Sequence, residues 1–325
     1  MRVFTAVLKN NLWRLMQQKQ RLLLFPILTV AAIAGAVFFN TKSDIAGNIA
    51  AIAGSNMIPP TPYLNVTMLD EAPATSELMA GKYDAVVVYD EQGGYEIQTI
   101  KSDEFKQMLD NLISSPASFK SGDIASRGTG TNIIGFILMF VLMQGVSLMF
   151  MFAEDKEKKQ LHRVAASPVS FTGYLCANSV FAFMFLFVPT AVMIGVAHII
   201  PGIDLGFGFA TYLLLVALQC ALATSFGLFL VALFKKSDSS NMAGSASVVL
   251  TSVLAGSFYS FDKGNIVLEN AIKVLPQKAF LSLSDSLEKG MDISSWLFNG
   301  LYIVILIAAF MIVAVIKTRK DYVRR

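Results

Sequence analysis

Few residues of this chain have the types and spacings needed for catalysis, and none of them completes a catalytic set. The two histidines, His162 and His198, do not occur in a His-Glu-x-x-His spacing, so the pattern of a membrane metalloprotease is absent. The run Gly145-Val146-Ser147-Leu148-Met149 matches half of a serine-nucleophile elbow, but no histidine is placed to serve it. The sequence therefore does not predict a hydrolase.

The residues needed for nucleotide or metal chemistry are also missing. Gly81-Lys82-Tyr83 lacks the upstream glycine and the following hydroxyl residue of a phosphate-binding loop. The two cysteines, Cys176 and Cys220, lie in apolar segments, and they offer neither a disulfide framework nor a metal site. We therefore expect no cofactor in this chain and no ATP hydrolysis by the chain alone.

The segment with the most informative chemistry is the loop 154–172. It opens with the charged run Glu154-Asp155-Lys156-Glu157-Lys158-Lys159 and ends in a small, mildly apolar run that includes Ser167-Pro168. Because proline disfavours helix at the preceding residue, a helix should end there, and Ser170 is suited to begin the next one as its N-cap. An apolar patch flanked by charged residues is typical of a segment that binds a partner protein. The alternative interpretation is a solvated loop without a partner.

The elements that position this loop are predicted to cross a membrane. Hydrophobic residues make up 54% of the 325 residues and charged residues 15%, against about 25% charged in soluble proteins. Six segments contain no Asp, Glu, Lys or Arg, and each is long enough to span a hydrocarbon core about 30 Å thick: 22–39, 132–153, 173–200, 210–234, 242–261 and 296–316. This composition excludes a soluble enzyme, a disordered chain and a nucleic-acid-binding protein.

The distribution of basic residues predicts the orientation. With a cytoplasmic N-terminus, the inner segments hold 16 Lys and Arg in 56 residues, and the outer segments hold 10 in 135. This positive-inside bias predicts a multi-pass cell-membrane protein with both termini in the cytoplasm. We expect 22–39 to be retained as the first span, because it is long for a signal peptide and no small-residue cleavage site follows it.

Two segments outside the spans show patterns of their own. Residues 1–21 predict a cytoplasmic amphipathic helix with Phe4, Leu8, Leu12 and Leu15 as its apolar stripe, lying in the inner membrane interface or packed on a cytoplasmic partner. Residues 40–131 predict a small α/β domain outside the membrane. Its predicted elements are a short helix at 75–80, strands at 64–69, 85–89 and 95–100, a Gly93-Gly94 hairpin turn and a helix at 102–113.

The predicted fold is therefore an α-helical polytopic membrane protein with six transmembrane helices and a small extracytoplasmic α/β domain between the first two. Residues 132–325 form a five-helix transmembrane block that includes an outer helical segment at 262–295. The fifth span is rich in small and hydroxyl residues such as Gly244, Ser245 and Ser252. We expect these to allow close helix packing, and the alternative is a polar stripe that lines a substrate path.

On these residues the chain resembles the membrane subunits of ABC-2 type exporters. Those proteins carry an acidic residue, a basic cluster and an R-x-x-x-S-P-[VIL]-S run in the same inner loop, and here that run extends from Arg163 to Ser170. The layout is similar too, with a cytoplasmic helix, one span, an outer domain and five further spans. The usual E-[RK]-E-x-G-T sequence is replaced by residues 154–159, which lack its glycine.

The resemblance implies a transport subunit that forms a dimer with a second copy or a homologous subunit. A cytoplasmic ATP-binding subunit would hold ATP and magnesium, and it would dock on the inner loop. The residues implied in this coupling are Glu154, Lys156, Arg163, Val164, Ala165, Ala166, Ser167, Pro168 and Val169.

The spans carry no ionised side chain, so we expect a hydrophobic or amphipathic substrate such as a drug, an antimicrobial peptide or a lipid-like compound. The alternative function is a non-transporting membrane receptor or secretion scaffold whose outer domain binds a partner. A neighbouring reading frame that encodes an ATP-binding subunit would favour the transporter.

Overall fold

The computed structural model describes residues 2–42, 47–52, 64–69, 71, 73–74, 77–78, 82–89, 94–99, 103–114, 128–167, 170–200, 205–257 and 266–322. The chain divides into two units. One unit comprises Met1–Val37, Gly128–Tyr259 and Asn270–Arg325, and the other comprises Phe38–Arg127 and Ser260–Glu269. We refer to them as the helical unit and the sheet unit.

Helices account for most of the described chain. They are α1 (Arg2–Gln17), α2 (Lys19–Lys42), α3 (Asp103–Ser114), α4 (Thr129–Leu148), α5 (Phe150–Glu157), α6 (Gln160–Ala166), α7 (Phe171–Ile199), α8 (Phe209–Leu233), α9 (Ser237–Leu254), α10 (Ile266–Lys273), α11 (Pro276–Glu288) and α12 (Ile293–Tyr322). The strands are β1 (Gly47–Ile52), β2 (Leu64–Leu69), β3 (Ala85–Tyr89) and β4 (Tyr95–Thr99).

Four helices in the described ranges are long and apolar enough to cross a membrane. They are Thr129–Glu157, which combines α4 and α5, together with α7, α8 and α12. These helices coincide with the predicted second, third, fourth and sixth spans. The predicted first span lies in α2, whose apolar stretch Phe25–Ala36 is shorter, and the predicted fifth span overlaps α9. Both are helical, and a total of six crossings remains a prediction.

Glycine allows the helices of the helical unit to approach closely. A Cβ added to Gly145 of α4 would lie 2.7 Å from the Ala223 carbonyl oxygen of α8, and one added to Gly227 would lie 2.7 Å from the Gly145 oxygen. On α9, a Cβ at Gly244 would lie 2.5 Å from Cγ1 of Val146. The predicted packing role of small residues in the fifth segment is thus confirmed at Gly244.

The sheet unit contains a four-stranded sheet of order β2-β1-β3-β4. Strand β1 is parallel to β2 and β3, and β4 is antiparallel to β3. Helix α3 covers one face of the sheet through Phe105, Leu109 and Leu112, while Leu78 and Tyr83 pack against the other face. Because β3 is buried on both faces, its residues Val86 and Val87 form the centre of this core.

The sequence prediction of this unit omitted a central strand. The structure forms strands at 64–69, 85–89 and 95–99 and a helix at 103–114, close to the predicted bounds. It adds β1, whose small residues Asn48, Ala50 and Ala51 lack the β-branched composition that usually indicates a strand. Of the predicted helix at 75–80, only Glu77 and Leu78 lie among the described residues, and both are helical.

Candidate coupling site

The predicted coupling loop contains a sharp helix break. Helix α5 ends at Glu157, and Lys159 adopts a left-handed backbone conformation with φ of 57° before α6 begins. The Lys158 amide donates to the Glu154 carbonyl at 2.8 Å, which closes the last turn of α5. Glycine is the usual residue in this conformation at a helix end, because it has no Cβ to contact the backbone carbonyl. Lys159 has a Cβ, and its backbone is therefore strained.

Arg163 follows this break, six positions after Glu157 and nine after Glu154. No ion pair in the described chain joins Arg163 to Glu154 or Glu157. Its side chain is exposed, as is that of Ala166. Arg163 and Ala166 therefore belong to the surface that a partner could contact.

The other residues of the predicted apolar patch face different ways. Val164 and Ala165 are half-buried and pack against the helical core, and the Ser167 hydroxyl donates to the Val164 carbonyl at 2.7 Å. Pro168 and Val169 lie outside the described residues. The predicted N-cap is confirmed, because the Ser170 hydroxyl accepts a hydrogen bond of 3.3 Å from the Gly173 amide at the start of α7.

A buried carboxylate connects this segment to α1. Asp155 accepts a hydrogen bond of 2.9 Å from the Arg14 guanidinium, and its other oxygen accepts one of 2.6 Å from the Tyr174 hydroxyl. Arg14 also reaches Glu154 at 3.2 Å and the Met151 carbonyl at 3.3 Å. A buried charge is costly unless it is paired and hydrogen-bonded, and Asp155 satisfies both conditions. Arg14, Glu154, Asp155 and Tyr174 are called the ionic cluster below.

A second polar contact joins α1 to α7. The Asn11 amide donates to the Asn178 side-chain oxygen at 2.8 Å, and both side chains are buried. The buried side of α1 therefore contains Asn11 and Leu15, with the partly buried Val7 and Leu8 beside them.

The predicted apolar stripe of α1 is thus divided, because Leu8 and Leu15 pack inward. Phe4 and Leu12 are exposed, together with Trp13 and Met16. Two polar side chains, Asn11 and Arg14, take the inward positions because each meets a buried partner there. The helical spacing of apolar residues alone does not reveal these polar side-chain pairs.

Lys156 points into the protein rather than toward a docking surface. Its ammonium group donates to three backbone carbonyls at the end of α8, those of Val231 at 2.8 Å, Ala232 at 3.0 Å and Phe234 at 2.8 Å. These carbonyls have no partner in the helix itself, and a cation at a helix C-terminus is favoured by the helix dipole. Lys156 therefore joins α5 to α8.

Sequence reasoning singled out this segment for its charge pattern but missed most of the residues that hold it in place. Arg14, Asp155, Tyr174 and Asn178 were not identified, and Glu154 and Lys156 were assigned to an exposed docking surface. One signal was present in the sequence, because an acidic pair at the end of an apolar helix requires a cation nearby. The chain offers several basic residues on the predicted inner side, so sequence alone does not select Arg14.

The described structure is that of a membrane protein with several long apolar helices, whose α5–α6 turn is joined to α1, α7 and α8. The sequence profile of the ABC-2 family transporter proteins matches residues 22–317, which is most of the chain. The chain belongs to this family and is a membrane component of an ABC transporter. A search of curated proteins returned no significant match.

Proposed function

We propose that the chain is the permease subunit of an ABC-2 exporter that moves a hydrophobic or amphipathic compound out of the cell. Two permease subunits form the transport path, and each binds a cytoplasmic ATP-binding subunit that holds and hydrolyses ATP with magnesium. Both termini and the α5–α6 turn face the cytoplasm, and residues 40–131 lie outside. The family membership supports this proposal, and the exporter direction rests on the resemblance of the inner loop.

The observation that carries the proposal is the attachment of the α5–α6 turn to three other helices. The ionic cluster joins the end of α5 to α1 and α7, and Lys156 joins it to α8. A push on the exposed residues of this turn would therefore move a connected set of helices rather than a free loop. Such an element is what two-state coupling requires, since the partner must bias the membrane helices through a rigid contact.

The substrate class is supported by an apolar pocket of about 940 Å³ in the helical unit. Side chains of α7, α8, α11 and α12 line it, among them Phe183, Leu214, Trp296 and Val304. None of its lining residues is charged. An apolar pocket of this size accommodates the hydrocarbon part of an amphipathic molecule.

The test is ATP-dependent transport in proteoliposomes that contain this chain and its ATP-binding subunit, with a panel of fluorescent amphipathic compounds. We expect Gly300→Trp to reduce transport at least tenfold, because Gly300 lines the apolar pocket and has no side chain there. The matched control is Ile305→Trp, which places the same side chain on an exposed position of the same helix that does not line the pocket. Absence of ATP-dependent movement for every compound would contradict the exporter function, and equal transport by both variants would contradict the substrate path.

A further inference from the structure

A second pocket of the helical unit, of about 770 Å³, has a different character. It lies where α5, α8 and α12 end, and the turn after α5 contributes to its wall. Five lysines line it, namely Lys156, Lys159, Lys235, Lys317 and Lys320, against the two carboxylates of Glu157 and Asp321. We call it the basic pocket.

Three of these lysines are available to a ligand. Lys156 is fully engaged by carbonyl groups at the end of α8, and Lys317 pairs with Asp321 at 3.1 Å. Within the described ranges, Lys159, Lys235 and Lys320 have neither an ion pair nor a side-chain hydrogen bond, and all three are exposed. Several like charges around one concavity raise its positive potential and favour an anion.

The walls of the basic pocket are partly apolar. Leu233, which is the last residue of α8, and the ring of Tyr322 both line it. The Tyr322 ring also contacts the His162 ring, with centroids 4.9 Å apart, so α6 and α12 meet at this edge. A ligand here would contact cationic groups and apolar surface together.

An exposed apolar strip of α12 leads away from the pocket. Val313 and Ile316 are exposed and precede Lys317 and Lys320 by one helical turn each, which places each pair on the same side of the helix. Since α12 is apolar enough to cross a membrane and its described surface is mostly uncovered, this strip is suited to contact acyl chains.

We propose that the basic pocket binds the phosphate of an anionic membrane lipid whose acyl chains lie along α12. Basic pockets between transmembrane helices at the cytoplasmic side are suited to such headgroups. Lys159, Lys235 and Lys320 bind the phosphate. The apolar strip of α12 favours a lipid over a soluble anion, because only a lipid has acyl chains to contact it. The pocket shares Lys159 and His162 with the proposed coupling turn, so an acidic surface of the ATP-binding subunit is the competing occupant.

The experiment measures lipid binding to the purified full-length chain in nonionic detergent by native mass spectrometry. The probes are phosphatidylglycerol, phosphatidylcholine with the same acyl chains, and glycerol 3-phosphate. We expect tighter binding of phosphatidylglycerol than of phosphatidylcholine. The double variant Lys235→Gln/Lys320→Gln should weaken phosphatidylglycerol binding about tenfold, because each lysine near the headgroup contributes to the affinity.

The matched control is Lys158→Gln/Arg319→Gln, which removes two exposed charges from the same region without touching the pocket wall. It should bind phosphatidylglycerol as the original chain does. Equal binding of the two phospholipids, or equal affinity in both double variants, would overturn the proposal. Displacement of the lipid by an equal concentration of glycerol 3-phosphate would assign the pocket to a soluble anion instead. The Lys235→Gln/Lys320→Gln variant is also co-purified with the ATP-binding subunit, and loss of the subunit with unchanged lipid binding would assign the pocket to protein docking.

Discussion

Arg14 and Asp155 are 141 positions apart in the chain, and their side chains meet at 2.9 Å. This ion pair joins α1 to the end of α5, immediately before the α5–α6 turn. The Asp155 side chain is 9% exposed and that of Arg14 is 20% exposed, so water screens the pair only weakly. The ion pair therefore makes α1 a structural part of the segment that we propose to bind the ATP-binding subunit.

The Arg14–Asp155 pair is expected to stabilise the helical unit. Arg14→Gln leaves the Asp155 carboxylate without its cation and should lower the free energy of unfolding by about 1–3 kcal/mol. The double variant Arg14→Gln/Asp155→Asn should lose less than the sum of the single variants, because residues in one ionic network are energetically coupled. Thermal unfolding of the four proteins in detergent measures the cycle. Strict additivity would show that the two side chains do not interact.

Lys156 is expected to act as a cap for α8 and not as a docking residue. Lys156→Met removes the donor to three carbonyls and should lower the free energy of unfolding by about 1–3 kcal/mol. Lys158→Met is the matched control, since Lys158 is exposed and its ion pair of 3.6 Å with Glu154 is a surface pair that contributes little to stability. The midpoint of thermal unfolding distinguishes the two, and equal midpoints would refute the capping role.

The left-handed conformation of Lys159 predicts an unusual effect of glycine. Lys159→Gly should raise the free energy of unfolding by about 1 kcal/mol, because glycine adopts this conformation without steric strain. Lys159→Val should lower it by a similar amount. At the neighbouring Lys158, whose φ is −78°, glycine should destabilise the helix end instead. The same direction of change at both positions would contradict the backbone assignment.

The proposed orientation is tested by labelling single cysteines in a chain that carries Cys176→Ser and Cys220→Ala. Gln107→Cys, on the exposed side of α3, should react with an impermeant maleimide in intact cells. Lys158→Cys, in the exposed inner turn, should react only after lysis, because the basic density places it in the cytoplasm. The opposite pattern would reverse the topology.

The sequence was sufficient for those features that depend on local composition. Uncharged stretches located the long apolar helices, and strand-like composition with turn signals located three of the four strands. The central strand β1 escaped because its small residues are buried by pairing with β2 and β3, a tertiary effect.

The candidate site was less predictable because its residues come from distant positions. The sequence placed Lys156 on an exposed docking surface, because its contact with the end of α8 is a tertiary one. The Arg14–Asp155 pair is likewise tertiary, since 141 positions separate the two residues. In the sheet unit, burial and the 2.6 Å hydrogen bond to Asp110 raise the pKa of Tyr95 to about 12, a pairing that strand prediction also does not supply.

The coupling role of the exposed inner turn is tested most directly by Ala166→Glu, which adds a charge at an exposed position without touching a core contact. An anchor at an interface contributes on the order of 2 kcal/mol, so its disruption should weaken binding of the ATP-binding subunit at least tenfold. The control is Gln17→Glu, which adds the same charge at an exposed site of α1, on the same proposed side of the membrane. The measurement is co-purification of the ATP-binding subunit together with ATP-dependent transport. We predict that both are lost in Ala166→Glu and kept in Gln17→Glu, whereas normal co-purification and normal transport in Ala166→Glu would contradict the account.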